Sequence, residues 1–303
     1  MIYGKFAYVY DKLMSDIDYS EWADYIVGIF EKYGLKPELI TDLGCGTGSF
    51  CIEMANRGFD MIGIDSSPDM LNCATLKAKK IAEEIQPRGG DSQQPGEEMQ
   101  MHSGKDIRKP DGRDILWLNQ DMTDFELYGT VDAIVCLVDS INHITRQTHL
   151  ERMFKLVYNY LNPGGLFIFD VNSPYKLEKI LGNKVFYSVE DEVAYIWQNS
   201  YNAKSAVCRF DLTFFIKECK KFCESCESCE PSEPSEHCGL CDQFDERYER
   251  FDEVIHEKAY SSEQLESILK VSGLEFLDSF GDLSYRKPGP RSERIFYISR
   301  KGM

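Results

Sequence analysis

Apolar positions along the chain change their spacing several times, and those changes predict its elements. Phe6, Tyr10, Leu13 and Met14 share one helical face, and Trp22, Ile26, Ile29, Phe30 and Tyr33 share another, so two helices precede the first strand. From Leu39 onward, short apolar runs alternate with helical stretches. The runs end at Asp42, Ile64, Asn119, Val138 and Val171, with helices over Gly48–Asn56 and Arg146–Tyr160 and another opening at Ser66-Ser67-Pro68. The unbroken apolar run Val131–Val138 is the pattern of a parallel strand buried on both faces. Strands alternating with helices predict an α/β sheet covered on both sides.

The rhythm then changes. Val193–Tyr201, Ala206–Lys217 and Phe244–Lys258 are rich in Val, Ile, Tyr and Phe and alternate in part, which predicts antiparallel strands. They form a small β cap over the sheet edge. A helix over Ser261–Val271 with a capping box, then strands near Leu274–Ser279 and Arg294–Ser299, return to the first architecture. The expected division is therefore 1–174 with 259–303 as one α/β domain and 175–258 as the cap. Residues 86–113 are polar, glycine-rich and aperiodic, the expectation for a flexible insertion.

Candidate chemistry sits where the strands end. Leu39–Phe50 reads LITDLGCGTGSF: a strand ending in Asp42, glycines at 44, 46 and 48, and a helix start. Glycine lets a ligand approach the backbone N–H groups, and the helix N-terminus behind favours an anionic group such as a carboxylate. A dinucleotide fingerprint would place its third glycine at Ser49. The second strand ends in Asp65, whose two oxygens suit the vicinal hydroxyls of a ribose; the competing role is to cap the helix opening at Ser66. The run Val131–Val138 leads into Asp139-Ser140-Ile141-Asn142-His143, polar groups leaving the sheet at its carboxyl edge.

The set D-L-G-C-G-T-G, with Asp65 and the later acids, resembles motif I and its companions in class I S-adenosylmethionine (SAM) dependent methyltransferases. L-N-P-G-G-L-F-I-F-D before the fifth strand, and Y-x-x-F-A-x-x-Y-D at residues 3–11, resemble the same family, the latter a bacterial subgroup. The resemblance covers roughly residues 1–174 and the last forty or so. It implies a Rossmann-like seven-stranded sheet whose last strand is antiparallel. It further implies a cofactor site of Asp42, Gly44, Cys45, Gly46, Gly48, Asp65, Ser66, Met70, Asp121, Met122 and Leu137, with Tyr10 lying over it. Asp121 would meet the adenine amino group and the Met122 N–H a ring nitrogen.

Methyl transfer from SAM needs a nucleophile held in line and water kept out. A base is required only when the acceptor starts protonated. His143 is the candidate base, with Asp139 beside it, and Asn142, Asn172 and Tyr175 are candidates to orient the acceptor. A cap enclosing the site favours a small-molecule acceptor. The net charge of −17 disfavours nucleic acid, and no apolar run reaches the length of a membrane span, so a cytoplasmic protein is expected.

Eleven cysteines in that setting point to thiols or metal ligands. Cys226/Cys229 and Cys238/Cys241 form two C-x-x-C pairs that fit a structural zinc, against an iron–sulfur cluster or a loop without metal. This acidic, Cys-rich tip is also the candidate surface for a protein partner. Two other readings compete with a methyltransferase: a nicotinamide-dependent oxidoreductase and a non-catalytic SAM-fold scaffold.

Overall fold

The computed structural model describes residues 7–85, 107–108, 114–217 and 247–303. The expectations of a flexible 86–113 insertion and a zinc site at Cys226, Cys229, Cys238 and Cys241 lie outside the described residues, apart from Ile107–Arg108. The elements in order are α1 (Ala7–Leu13), α2 (Tyr19–Lys32), β1 (Leu39–Leu43), α3 (Ser49–Asn56), β2 (Asp60–Asp65), α4 (Pro68–Ile85), β3 (Ile107–Arg108), β4 (Asp114–Asn119), β5 (Val131–Cys136), α5 (Gln147–Tyr160), β6 (Leu161–Asn172), β7 (Val185–Val189), β8 (Val193–Asn202), β9 (Val207–Lys217), β10 (Tyr248–Lys258), α6 (Ser262–Val271), β11 (Leu274–Gly281) and β12 (Arg294–Lys301). A 3-10 turn at Ser140–His143 and a π-helical turn at Lys176–Leu181 complete them.

The main sheet runs β11-β12-β6-β5-β1-β2-β4-β3. Its seven full strands match the expectation, with β12 antiparallel to both neighbours, and the two-residue β3 adds an antiparallel edge beside β4. Alternation along the central strands feeds two cores. Ile134 and Cys136 of β5, with Phe167 and Phe169 of β6, meet α5 and α6 through Phe154, Val157, Leu265 and Leu269. Ala133, Val135, Leu166 and Ile168 face the other way, against Trp22, Ile26 and Phe30 of α2 and Phe50 and Met54 of α3. Burial on both faces is why these strands read as unbroken apolar runs.

A separate antiparallel sheet, β10-β9-β8-β7, forms the cap. The sequence pattern anticipated three of its strands. It missed β7, whose Val185, Tyr187 and Val189 alternate toward solvent and are exposed among the described residues. The opposite face is aromatic: Trp197 meets Phe210 edge-on and Phe214 stacks on Phe251. Leu212 and Phe214 pack with Ala7 of α1 and Met70 of α4, so the N-terminal helix is wedged between cap and sheet edge.

Candidate active site

The glycine turn is held from three directions. The N–H groups of Gly44 and Cys45 donate to the Ile64 carbonyl at 2.8 and 3.0 Å. The Gly46 N–H donates to Asp65 Oδ2 at 2.9 Å, while Asp65 Oδ1 accepts the Ser67 N–H at 2.8 Å. One carboxylate thus joins the turn to the start of α4, where Ser67 Oγ caps the Met70 N–H at 3.3 Å. Each Asp65 oxygen keeps a second lone pair, so capping and ligand binding are compatible. Asp11 of α1 is bonded to Thr47 and paired with Lys77, which also reaches Ser49 at 2.8 Å; this ties the N-terminal helix over the turn.

The glycines serve different ends. Gly48, at φ +74°, has no room: a Cβ would fall 2.4 Å from the Trp117 ring. Gly46, at φ +54°, has only the Tyr10 ring within 4 Å of that position, at 3.9 Å. Space over Gly46 is cavity, the cradle that a ligand approaching the backbone requires.

That cavity has a volume of about 860 Å³ and runs from the glycine turn to the cap. Of the residues singled out from sequence, Tyr10, Gly44, Gly46, Asp65, Ser66, Met70, Asp121, Met122, Asp139, His143 and Asn172 line it. Asp42, Cys45, Gly48, Leu137, Asn142 and Tyr175 are not among the lining residues. Asp42 is buried behind the turn, where Cys51 Sγ lies 3.4 Å from its Oδ2, and burial pushes its carboxyl up to about 7. Leu137 offers its carbonyl to Ser140 Oγ at 2.8 Å. The Asn142 amide is spent on backbone: Nδ2 donates to the Asn172 and Lys258 carbonyls and Oδ1 accepts the Asn172 N–H. It fastens β6 to the end of β10.

Strand β5 stops at Cys136, short of the expected Val138, because the chain turns sharply. Val138 and Asp139 take φ of +55° and +53°, a region a β-branched residue rarely enters. The turn is held by Asp170 of β6, fully buried, whose carboxylate accepts the Val138 and Asp139 N–H groups at 2.7 and 3.0 Å. Arg294 of β12 pairs with Asp170 and, at 2.7 Å, with Asp139, while its guanidinium lies 5.2 Å from the Trp22 ring centre. Burial alone would raise Asp139; Arg294, Lys176 and His143 outweigh it and hold the carboxyl below its ordinary range. Burial lowers His143 against the opposing pull of Asp139, so the imidazole is neutral near pH 7.

Asp170, Arg294 and Glu257 were missed by sequence reasoning. Glu257, at the end of β10, is buried and accepts Asn172 Nδ2 at 2.8 Å. Burial, reinforced by Asp139, pushes its carboxyl up to about 8. Nothing local separates Glu257 from the exposed Glu249 on the same strand. Asp170 did leave a signal, an acid inside the apolar run LFIFDV.

Residues 16–207 match the model of a family described as a methyltransferase domain. The chain belongs to that methyltransferase family. A crystal structure of an S-adenosylmethionine-dependent methyltransferase from Clostridium acetobutylicum ATCC 824 is 30% identical, with a TM-score of 0.73 and 99% of each chain covered. YqeM of Bacillus subtilis (strain 168), whose name gives methyltransferase and no acceptor, is 29% identical over 302 residues, 99% of this chain and 98% of its own. SAM-bound CalS10, an amino pentose methyltransferase from Micromonospora echinaspora, shares the fold at a TM-score of 0.62 and 16% identity, covering 97% of each chain. The methyltransferase is thus a class I, SAM-dependent one, and the oxidoreductase reading of the glycine turn gives way. Among its described residues no helix is long and apolar enough to cross a membrane.

Proposed function

We propose that the methyltransferase methylates a small-molecule acceptor enclosed between its glycine turn and its cap. The observation that carries this reading is one continuous cavity. It joins Gly44, Gly46, Asp65 and Asp121 at one end to Asp139, His143 and Asn172 at the other, and aromatic cap residues roof it. Its volume of about 860 Å³ suits a cofactor together with a small acceptor. CalS10, whose acceptor is an amino pentose, has the same fold over its whole length.

When bound, SAM supplies an electrophilic methyl group on its sulfonium. The chain's own residues do the rest. Asp65 has lone pairs left for ribose hydroxyls. Asp121, oriented by the Thr123 N–H and hydroxyl at 2.7 and 2.8 Å, lines the cavity and is our candidate to accept from the adenine amino group. The open backbone at Gly46 takes the methionine portion, with Tyr10 over it. Asp139 and His143 stand at the far end, beside the acceptor. Holding two reactants in line while excluding water is worth roughly 7–11 kcal/mol of barrier.

Calorimetry with SAM and S-adenosylhomocysteine tests this, with NAD as the control. Both sulfur ligands are expected to bind. Asp65→Ala, which removes charge-assisted hydrogen bonds, should weaken them by roughly 100-fold. Failure of folded protein to bind either ligand would overturn the reading.

A further inference from the structure

We infer that the acceptor is a cationic amine, held by Glu257 and Asp139 and relieved of one proton by Glu257; this rests on the methyltransferase reading above. The carboxylates of Asp139 and Glu257 and the imidazole of His143 bring ligand atoms within 4.8 Å of one another at the cavity wall. Asp139 and His143 come from the turn after β5 and Glu257 from the end of β10, more than a hundred residues on, so only the folded chain assembles them. Such a cluster admits a metal ion or an ammonium group. The surrounding charge decides between them.

Asp139, Asp170 and Glu257 face two fixed cations, Arg294, bonded to the first two, and Lys176, which acts through space on Asp139 and Glu257. One negative charge is left when Glu257 is ionised. A monocation balances that charge, whereas a divalent ion overshoots it and lies against a guanidinium. Hydrogen bonding points the same way. Asn172 is 3% exposed, lines the cavity, and spends its Nδ2 on Glu257 while its Oδ1 has no partner among the described residues. An ammonium carries several N–H donors and satisfies both that oxygen and a carboxylate. Tyr195, Trp197, Phe210 and Phe214 of the cap line the same cavity and suit the apolar body or the charged end of an amine.

The chemistry closes. The ammonium group, entering beside Glu257, offsets the burial that keeps it neutral, so Glu257 gives its own proton to solvent. The resulting carboxylate then takes one proton from the ammonium nitrogen and returns to the neutral acid its buried setting favours. The freed lone pair forms the new N–CH3 bond as the S–CH3 bond breaks. The electron pair of that bond stays on sulfur as a thioether, and the product leaves as a methylated ammonium.

Benzylamine and its near-isostere benzyl alcohol are the probes, titrated into the full chain with and without S-adenosylhomocysteine and followed by ligand-observed NMR. Wild type is expected to prefer the amine at least tenfold. Glu257→Gln should erase that preference while leaving S-adenosylhomocysteine affinity within twofold. Equal binding of amine and alcohol by wild type would overturn the inference whether or not the variant folds. So would a preference that survives in Glu257→Gln, or tight Zn²⁺ or Mg²⁺ binding that the variant abolishes. Loss of S-adenosylhomocysteine binding with the amine preference intact would instead sink the cofactor reading alone.

Discussion

The two ends of the cavity are built in opposite ways. At the glycine-turn end, neighbours in sequence are neighbours in space. Gly44 to Gly48 close a turn, Asp65 reaches back from the next strand, and backbone N–H groups do most of the bonding. At the cap end, Asp139, Asn172, Glu257 and Arg294 come from four separate places in the chain, and side chains hold one another. The first arrangement is set by strand–turn–helix geometry and tolerates little variation. The second depends on buried charges balancing across elements, so it is the part free to change with the acceptor.

That contrast breaks most easily at Arg294. Arg294→Met leaves Asp170 buried without its cation while Asp170 still has to hold the strained turn at Val138. Removing one partner of a buried pair costs about 3–5 kcal/mol, and urea unfolding should show a loss of that size. Asp170→Asn in the same background should recover part of it, since no uncompensated carboxylate would remain.

The glycine turn sharpens the comparison at two positions. Gly48→Ala forces a Cβ against the Trp117 ring at positive φ and should cost about 1–3 kcal/mol in unfolding experiments. Gly46→Ala meets only Tyr10 at 3.9 Å, so its stability loss is expected to stay near 1 kcal/mol, while SAM affinity falls by more than the Gly48 variant's does. Equal effects of the two on binding would mean that the turn offers the cofactor no open backbone.

A pH series separates the ends next. Glu257 ionises in the unfolded chain near its ordinary pKa of 4.5 and in the folded chain at about 8. The stability it contributes is therefore complete below the first value and lost as pH rises toward the second. The unfolding free energy of wild type relative to Glu257→Gln should fall between pH 5 and pH 8 by more than about 1 kcal/mol. A flat difference would mean that Glu257 is ionised in the folded protein. The smallest effect is expected on the outer face of the cap. Tyr187, 76% exposed, should change stability by no more than about 0.5 kcal/mol when replaced by Thr.

The helices and strands of the α/β part were legible because each buries one stripe or both faces, and burial writes a period into the sequence. Strand β7 was not legible, since with one face open at a sheet edge its alternation is short and faint. The cap's three long strands were read, yet their pattern of partners was not, because register is a property of pairs of segments.

Sequence alone determined the glycine turn and Asp65, since those groups act through a backbone path only a few residues long, and the family resemblance of that turn pointed to the class of cofactor. Sequence also placed Asp139 and His143 at the carboxyl edge of the sheet. Tertiary structure decided that Asp42, Gly48 and Asn142 support the cavity from behind it, that Asp170 and Arg294 hold the turn at Val138, and that Glu257 belongs to the site. Those facts rest on burial and on distances between segments far apart in the chain. A buried carboxylate and a solvated one are spelled with the same letter.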